Sequence, residues 1–220
     1  MKKHLAFTLT ELLMALTIVG VLAVLTVPIL INNFQNRLFA TQIKNFSAEI
    51  EQFAQDQLIT HKTRDLMDTD FGEPSKLLTD GHFSIVKICT ADKSLKDCWK
   101  ISATGKDKVT YKRLNGKTQS TWGNCAPTIV LKNGVMFCYG TMDNNLRIIV
   151  DVNGNDKPNI DGRDLFAFYL TPKGHVVDYD YILNSGSDIN TKISNCRTEK
   201  THSPQWCYSA LISNNWKMDY

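Results

Sequence analysis

From Leu12 to Ile31 the chain reads LLMALTIVGVLAVLTVPILI, twenty residues without a charged side chain. The only clearly polar side chains in this run are those of Thr17 and Thr26. A helix needs roughly 20 apolar residues to cross about 30 Å of hydrocarbon. The run therefore predicts a membrane-spanning helix near the N-terminus.

The remaining composition is that of an ordinary globular protein. Of the 220 residues, 43% are hydrophobic and 21% are charged, which excludes a chain that is disordered throughout. The length fits one domain of ordinary size, or one domain with an attachment. The formal net charge of +3 is too small to favour nucleic acid, so we do not expect nucleic acid among the partners.

The residues before the apolar run predict the orientation of the chain. Lys2 and Lys3 keep the N-terminus in the cytoplasm by the positive-inside rule, so the bulk of the chain is exported after a single pass. A secretory signal of the usual cleaved kind has a shorter apolar region followed by an A-x-A-like site. Asn32, Asn33 and Phe34 follow the run here, and they do not form such a site.

Glu11 is the ionisable residue next to the apolar run. An unpaired carboxylate is costly in hydrocarbon, which makes Glu11 a candidate functional residue. The alternative is that Glu11 lies at the headgroup level near a helix N-terminus, where a carboxylate is favourable in any protein.

The stretch Ala6-Phe7-Thr8-Leu9-Thr10-Glu11-Leu12-Leu13 resembles the signal of type IV prepilins and type II secretion pseudopilins. The resemblance implies a leader of residues 1–6, cleavage by prepilin peptidase between Ala6 and Phe7, and N-methylation of Phe7. Glu11 is then the fifth mature residue, and Gly20 and Pro28 also match frequent family positions. The chain departs from the pattern at Ala6, where the family usually has Gly.

The resemblance also implies how the protein assembles. It implies a structural subunit, a minor pilin or pseudopilin, that joins a type IV pilus-like or type II secretion filament through its N-terminal helix. Glu11 would pair with the amine of Phe7 on a neighbouring subunit. Pro28 would kink the helix, with or without a role in assembly, and Gly20 would mark a close helix approach or have no special role.

Partners and location follow from the same resemblance. The expected partners are prepilin peptidase, other pilin or pseudopilin subunits, an inner-membrane assembly platform, and the membrane itself before assembly. The expected location is the bacterial inner membrane, with the N-terminus in the cytoplasm and the head exported, and afterwards an extracytoplasmic filament.

The expected fold class is α+β and pilin-like, a long N-terminal helix packed on a C-terminal antiparallel sheet. We divide the chain into the leader 1–6, the membrane or filament-core half of the helix 7–31, an amphipathic half 32–60, and an exported, β-rich head 61–220. In the amphipathic half, apolar residues recur at spacings of three and four, at Phe39, Ile43, Phe46, Ile50 and Phe53.

Six strand-like runs are predicted in the head, at 83–89, 128–131, 135–139, 146–152, 165–171 and 174–179. Asn133-Gly134 predicts a tight hairpin between the second run and the third. Residues 102–124 and 184–220 show few periodic cues and are predicted to be polar loops.

Six cysteines lie in the part of the chain that we expect to be exported, at Cys89, Cys98, Cys125, Cys138, Cys196 and Cys207. An even number in an exported domain indicates disulfides, although six cysteines allow 15 pairings. We expect neighbour pairing, and the alternative is that some are buried free thiols. Zinc is a weaker alternative because no C-x2-C pair is present.

The most polar stretch runs from position 151 to position 164. Its oxygen side chains suit calcium, and the candidate ligands are Asp151, Asn153, Asn155, Asp161 and Asp164. The stretch departs from the EF-hand pattern at Asp156, which replaces Gly, and at Gly162, which replaces Glu. Some pseudopilins bind calcium in a loop between strands, so the resemblance supports the same hypothesis. The alternative is a connecting loop rich in turn-forming residues.

Motifs of catalysis are missing from the sequence. It contains no H-E-x-x-H, no G-x-S-x-G and no Walker-type loop, so we expect a protein that is not an enzyme and requires no cofactor. The alternative to a filament subunit is a filament-tip adhesin or a DNA-uptake binding subunit. A membrane-anchored exported enzyme is a weaker third possibility.

Overall fold

The computed structural model describes residues 8–73, 76, 81–91, 93–119 and 125–220. The chain divides into two compact units, of which the first ends at Leu38 and the second comprises Phe39–Tyr220. Helix α1, Leu9–His61, belongs to both units. Among the helices in the described ranges, only α1 is long and apolar enough to cross a membrane, judged by length and composition.

In the first unit, the apolar side chains of α1 are exposed to solvent. Leu12 is 52% exposed, and Val24 is 74% exposed. The helix continues through Pro28. Among residues 8–38, this part of α1 therefore has no packing partner.

In the second unit, α1 buries the stripe that its spacing predicts. Phe39, Ile43, Phe46, Ile50 and Phe53 are all buried, because residues three and four apart lie on one face of a helix. The ring of Phe46 lies 5.2 Å from that of Phe137 and 6.3 Å from that of Phe168. The stripe thus forms one wall of the core of the second unit.

The other wall is a six-stranded antiparallel sheet in which each strand pairs with its neighbours in the sequence. Its strands are β1 Ile85–Cys89, β2 Thr128–Leu131, β3 Met136–Met142, β4 Asn145–Asp151, β5 Leu165–Leu170 and β6 Val176–Val177. The predicted α+β class is confirmed. The turn between β2 and β3 contains Asn133 and Gly134. The φ of Gly134 is 91°, a conformation that glycine adopts without a steric penalty.

The prediction of a polar loop over 184–220 is wrong. The C-terminal part contains α2 Tyr179–Leu183, α3 Ile189–Thr198 and α4 Ser203–Ser213. The Asp188 side chain caps α3 by accepting hydrogen bonds from the N–H groups of Asn190 and Thr191. In α4, Tyr208 packs on Phe168 of β5 at 5.1 Å between ring centroids. Helices this short are held by tertiary burial, which local sequence patterns reveal poorly.

Candidate functional site

The predicted cleavage residues Ala6 and Phe7 lie outside the described residues, as does the whole of the predicted leader 1–6. The described chain begins at Thr8, immediately after them. The structure therefore describes the candidate processing segment from Thr8 onward.

Thr8 and Glu11 form a reciprocal cap at the start of α1. The Thr8 N–H and the Thr8 hydroxyl both donate to Glu11 Oε2, at 2.9 and 2.8 Å. The Glu11 N–H in turn approaches Thr8 Oγ1 at 3.3 Å, and the Thr8 carbonyl accepts from the N–H of Leu12. This is the capping box that T-x-x-E produces at a helix N-terminus. Glu11 thus has a local role at the start of α1 in this subunit.

Gly20 and Pro28 lie on the exposed part of α1. In the described part of the chain, a Cβ built on Gly20 would meet no atom within 4 Å apart from its two chain neighbours and the backbone of its own helix. The described chain therefore supplies no internal reason for a glycine there. At Pro28, the surrounding apolar side chains are exposed. Both residues are placed where another helix or lipid could reach them.

The structure forms three disulfides, and they join neighbouring cysteines in the sequence. The Cα atoms are 6.2 Å apart in Cys89–Cys98, 5.3 Å in Cys125–Cys138 and 4.5 Å in Cys196–Cys207. The first joins the end of β1 to the segment that follows it, the second joins the segment before β2 to β3, and the third joins α3 to α4. The second disulfide thus closes a segment that contains β2, and the third spans the short connection between the two helices.

Two of the five candidate calcium ligands already accept hydrogen bonds from the protein. Asp151 accepts from the Tyr111 hydroxyl at 2.9 Å and from the Asn153 N–H at 3.1 Å. Asp164 accepts from the backbone N–H groups of Asn159 and Ile160 at 2.6 and 2.7 Å. Both carboxylates are fully buried, and burial raises the pKa of Asp164 to about 6.

The other candidates carry oxygens without hydrogen-bond partners. Among the buried, unpartnered atoms of this loop are Oδ1 of Asn153, Asn155 and Asn159 and both carboxylate oxygens of Asp161. Burial raises the pKa of Asp161 to about 8, although the nearby Ser203 hydroxyl and the positive charge of Arg113 act in the opposite direction. The Ser203 hydroxyl itself donates to the Cys196 carbonyl at 2.9 Å. Buried oxygens of this kind are normally satisfied by a donor, a water or a cation. Asn159 follows the same spacing of oxygen side chains, although it is not among the five predicted ligands.

The described residues contain no group of three or more His, Cys, Asp or Glu side chains arranged to hold a metal. Any cation in this loop would accordingly depend on asparagine oxygens as well as carboxylates, which is chemistry that calcium accepts. The structure thus leaves the five predicted ligands in two sets. Asp151 and Asp164 accept hydrogen bonds from neighbouring groups of the loop and its surroundings. Oxygen atoms of the other three, Asn153, Asn155 and Asp161, accept no hydrogen bond in the described structure.

A groove of about 650 Å³ lies at one end of the sheet, where the β3–β4 turn meets the segment after α1. Its ionisable side chains are Asp65 and Asp143, and its lining has no histidine, cysteine or lysine.

Comparison with known proteins gives one match. Residues 1–27 match the prokaryotic N-terminal methylation motif. No curated protein and no solved structure matches the chain significantly. The match covers the candidate processing segment, Glu11 and Gly20, and it ends just before Pro28.

Proposed function

We propose that this chain, whose N-terminus carries the signal of type IV pilins and pseudopilins, is a structural subunit of a pilus-like or type II secretion filament. Prepilin peptidase would cut between Ala6 and Phe7 and methylate the new terminus. The subunit would then assemble through α1. One observation carries the proposal: the residues that match the methylation motif overlap with the start of an apolar helix whose side chains are exposed in the first unit.

The exposed half of α1 must be buried somewhere. The apolar side chains between Leu9 and Leu38 are mostly more than half exposed, and contiguous apolar surface of that extent marks an interaction site. Before assembly, the hydrocarbon of the inner membrane removes it from water. After assembly, the helices of neighbouring subunits do so. The same segment thus serves first as an anchor and then as filament core.

The head is adapted to an oxidising compartment. Every cysteine of the chain takes part in a disulfide, and structural disulfides persist outside the reducing cytoplasm. This supports an orientation with the N-terminus in the cytoplasm and the head exported.

Processing is the direct test of the proposed function. The full chain is co-expressed with a prepilin peptidase, and the N-terminus is read by mass spectrometry. We expect a mature chain that begins at a singly methylated Phe7. Ala6→Gly restores the usual family residue and should be cut at least as completely, whereas the bulky Ala6→Leu should block cleavage. A chain that keeps residues 1–6 in every variant would refute the proposal.

We also propose that the 151–164 loop binds calcium. The support is the set of buried, unpartnered oxygens on Asn153, Asn155 and Asp161, together with Asn159. A calcium ion takes six to eight oxygen ligands, carboxylate and amide oxygens among them. Asp151 and Asp164 would keep their own hydrogen bonds and would lie among or next to the calcium ligands.

Calorimetric titration of the chelator-treated protein with CaCl₂ tests this second proposal. Asp161→Asn removes a buried carboxyl group that would ionise when it binds the cation, and it should weaken binding at least tenfold. Asp156→Asn removes the same charge from an exposed position of the same loop and should leave binding unchanged. No heat of binding for the unmodified protein, or equal losses in the two variants, would exclude a calcium site in this loop.

A further inference from the structure

The nearly even charge of the whole chain conceals a strongly basic segment. Between positions 87 and 117 lie nine of the 25 lysines and arginines but only three of the 22 acidic residues. That stretch has a formal charge of +6, whereas the whole chain has +3. The positive charge is therefore concentrated in one part of the head and offset elsewhere.

The structure brings these lysines together around two grooves, of about 430 and 510 Å³. The lysines are Lys87, Lys96 and Lys100 in the first groove and Lys108, Lys112 and Lys157 in the second. We term these six residues the lysine face. The grooves are adjacent, because the N–H of Val109 in the second donates to the carbonyl of Lys100 in the first at 3.1 Å. Lys157 joins from a distant part of the sequence.

The charges of the lysine face are not neutralised by the described part of the chain. None of the six ammonium groups lies within ion-pair distance of a carboxylate described in the structure. Asp97 and Asp107 line the first groove without pairing, and Lys87 instead donates to the backbone carbonyl of Asp97 at 3.0 Å. Clustered like charges at a surface raise the local concentration of anions.

We propose that the lysine face binds the phosphate backbone of duplex DNA outside the cytoplasm. Single strands are usually held by bases stacked on exposed aromatic rings, but Trp99 and Tyr111 of this segment are fully buried. The one arginine, Arg113, is also buried, which removes the side chain best suited to bidentate base recognition. The remaining chemistry is contact between lysine and phosphate that ignores base sequence.

The shape of the lysine face favours a linear polyanion over a membrane. Two adjacent grooves lined by lysines can contact the line of phosphates along one backbone of a duplex, whereas anionic lipid headgroups present a broad plane. The proposal depends on the proposed function only in requiring that the head be exported. The binding itself can be measured on purified protein, whether or not the leader has been removed.

Salt dependence gives the expected size of the effect. Each phosphate contact on duplex DNA contributes about −0.9 to the slope of log K against log salt concentration. Six contacts would weaken binding about two-thousandfold between 50 and 200 mM salt. With three lysines removed, the loss over the same range should be only about 40-fold.

The experiment uses the full chain in micelles of an uncharged detergent. Fluorescence anisotropy follows its binding to a labelled duplex of about 30 base pairs, chosen to be longer than the contact region. One variant combines Lys96→Gln, Lys108→Gln and Lys112→Gln. The matched control combines Lys173→Gln, Lys200→Gln and Lys217→Gln, three exposed lysines outside the lysine face. Both variants lose the same total charge.

We expect the first variant to lose affinity at low salt and to show the shallower salt slope, while the control behaves like the unmodified protein. Equal losses in the two variants would mean that total charge, and not the lysine face, drives binding. Binding to vesicles rich in phosphatidylglycerol with no binding to the duplex would assign the face to lipid. Either result, or no binding at 50 mM salt, would overturn the proposal. A failure of N-terminal processing would leave these measurements unaffected and would count only against the filament proposal.

Discussion

The Glu11 carboxylate accepts two hydrogen bonds from Thr8, and the Glu11 N–H approaches the Thr8 hydroxyl in return. The acid at the head of the apolar run is thus held by its own subunit. In hydrocarbon this local pairing lowers the penalty for carrying a carboxylate to the membrane boundary. It also leaves the second carboxylate oxygen, Oε1, to a partner such as the proposed amine of a neighbouring subunit.

The first prediction concerns Glu11→Ala. Membrane insertion should be unchanged, because the twenty uncharged residues that follow remain in place. Incorporation into filaments should fall severely, because the carboxylate proposed to pair with the next subunit is lost. Fractionation of membranes and of sheared filaments measures the two properties separately. Glu49→Ala, on the exposed side of the same helix, is the control, and equal incorporation of the two variants would contradict the proposed pairing.

A second prediction compares two phenylalanines of α1. Phe46 is 3% exposed and packs against the sheet, whereas Phe34 is 69% exposed. Phe46→Ala should lower the free energy of unfolding of the head by about 3–5 kcal/mol, because it leaves a cavity in the core. Phe34→Ala should leave it unchanged. Urea unfolding followed by near-ultraviolet circular dichroism measures both, and a comparable loss from Phe34→Ala would disprove this division of the helix.

The third prediction concerns the contact of Gly162 with the Cys196–Cys207 disulfide. A Cβ on Gly162 would lie 2.8 Å from Cys207 Sγ and 3.1 Å from Cys196 Sγ, and the residue has a φ of +80°. Gly162→Ala should therefore destabilise the head by about 2–4 kcal/mol, through backbone strain and overpacking together.

Gly116→Ala provides the matched control for Gly162→Ala. Gly116 has the same φ of +80°, but a Cβ there meets no described atom within 4 Å. Its loss should be limited to about 1 kcal/mol of backbone strain. Thermal unfolding of both variants measures the difference, and similar melting temperatures would show that the disulfide contact has no energetic consequence.

The fourth prediction is a pH dependence at Asp180. Partial burial opposes ionisation of this carboxyl, but hydrogen bonds from Ser185, Ser187 and Lys192 outweigh it and lower its pKa to about 2 from an unperturbed 3.8. The folded state therefore binds the proton less tightly than the unfolded state. The resulting stabilisation is complete above pH 3.8 and is lost as the pH falls through about 2.

Asp180→Asn isolates that contribution. At pH 7 the variant should lose about 2 kcal/mol, because charge-assisted hydrogen bonds to a partly buried group are removed. The gap from the unmodified protein should narrow as the pH falls from 4 to 2. Asp56→Asn, on the exposed surface of α1, should show no such gap. Melting curves across this pH range decide the matter, and a constant gap would exclude the proposed titration.

Much of the fold could be predicted from local sequence. The uncharged run and the stripe of Phe39 to Phe53 place α1, because helical periodicity is a property of neighbouring residues. The six strands also follow from local patterns, although their ends differ from the predicted ones by up to three residues, and β3 continues to Met142 beyond the predicted end at Tyr139. The helices α3 and α4 were missed, because they depend on capping by Asp188 and on burial against β5.

In the candidate site, too, local features can be predicted from the sequence and tertiary features cannot. T-x-x-E is a local motif, so the cap formed by Thr8 and Glu11 can be read from the sequence alone. The unpartnered state of the Asp161 oxygens cannot, because it depends on which donors fold around that residue.

The sequence by itself determined the N-terminal segment, since its leader, its acid and its apolar run act through composition and nearest neighbours. Only the tertiary structure decided how the head presents its charge. The lysine face joins Lys87 to Lys157 across seventy positions of the sequence. Electrostatic potential depends on distance in space, and the folded sheet and loops set that distance.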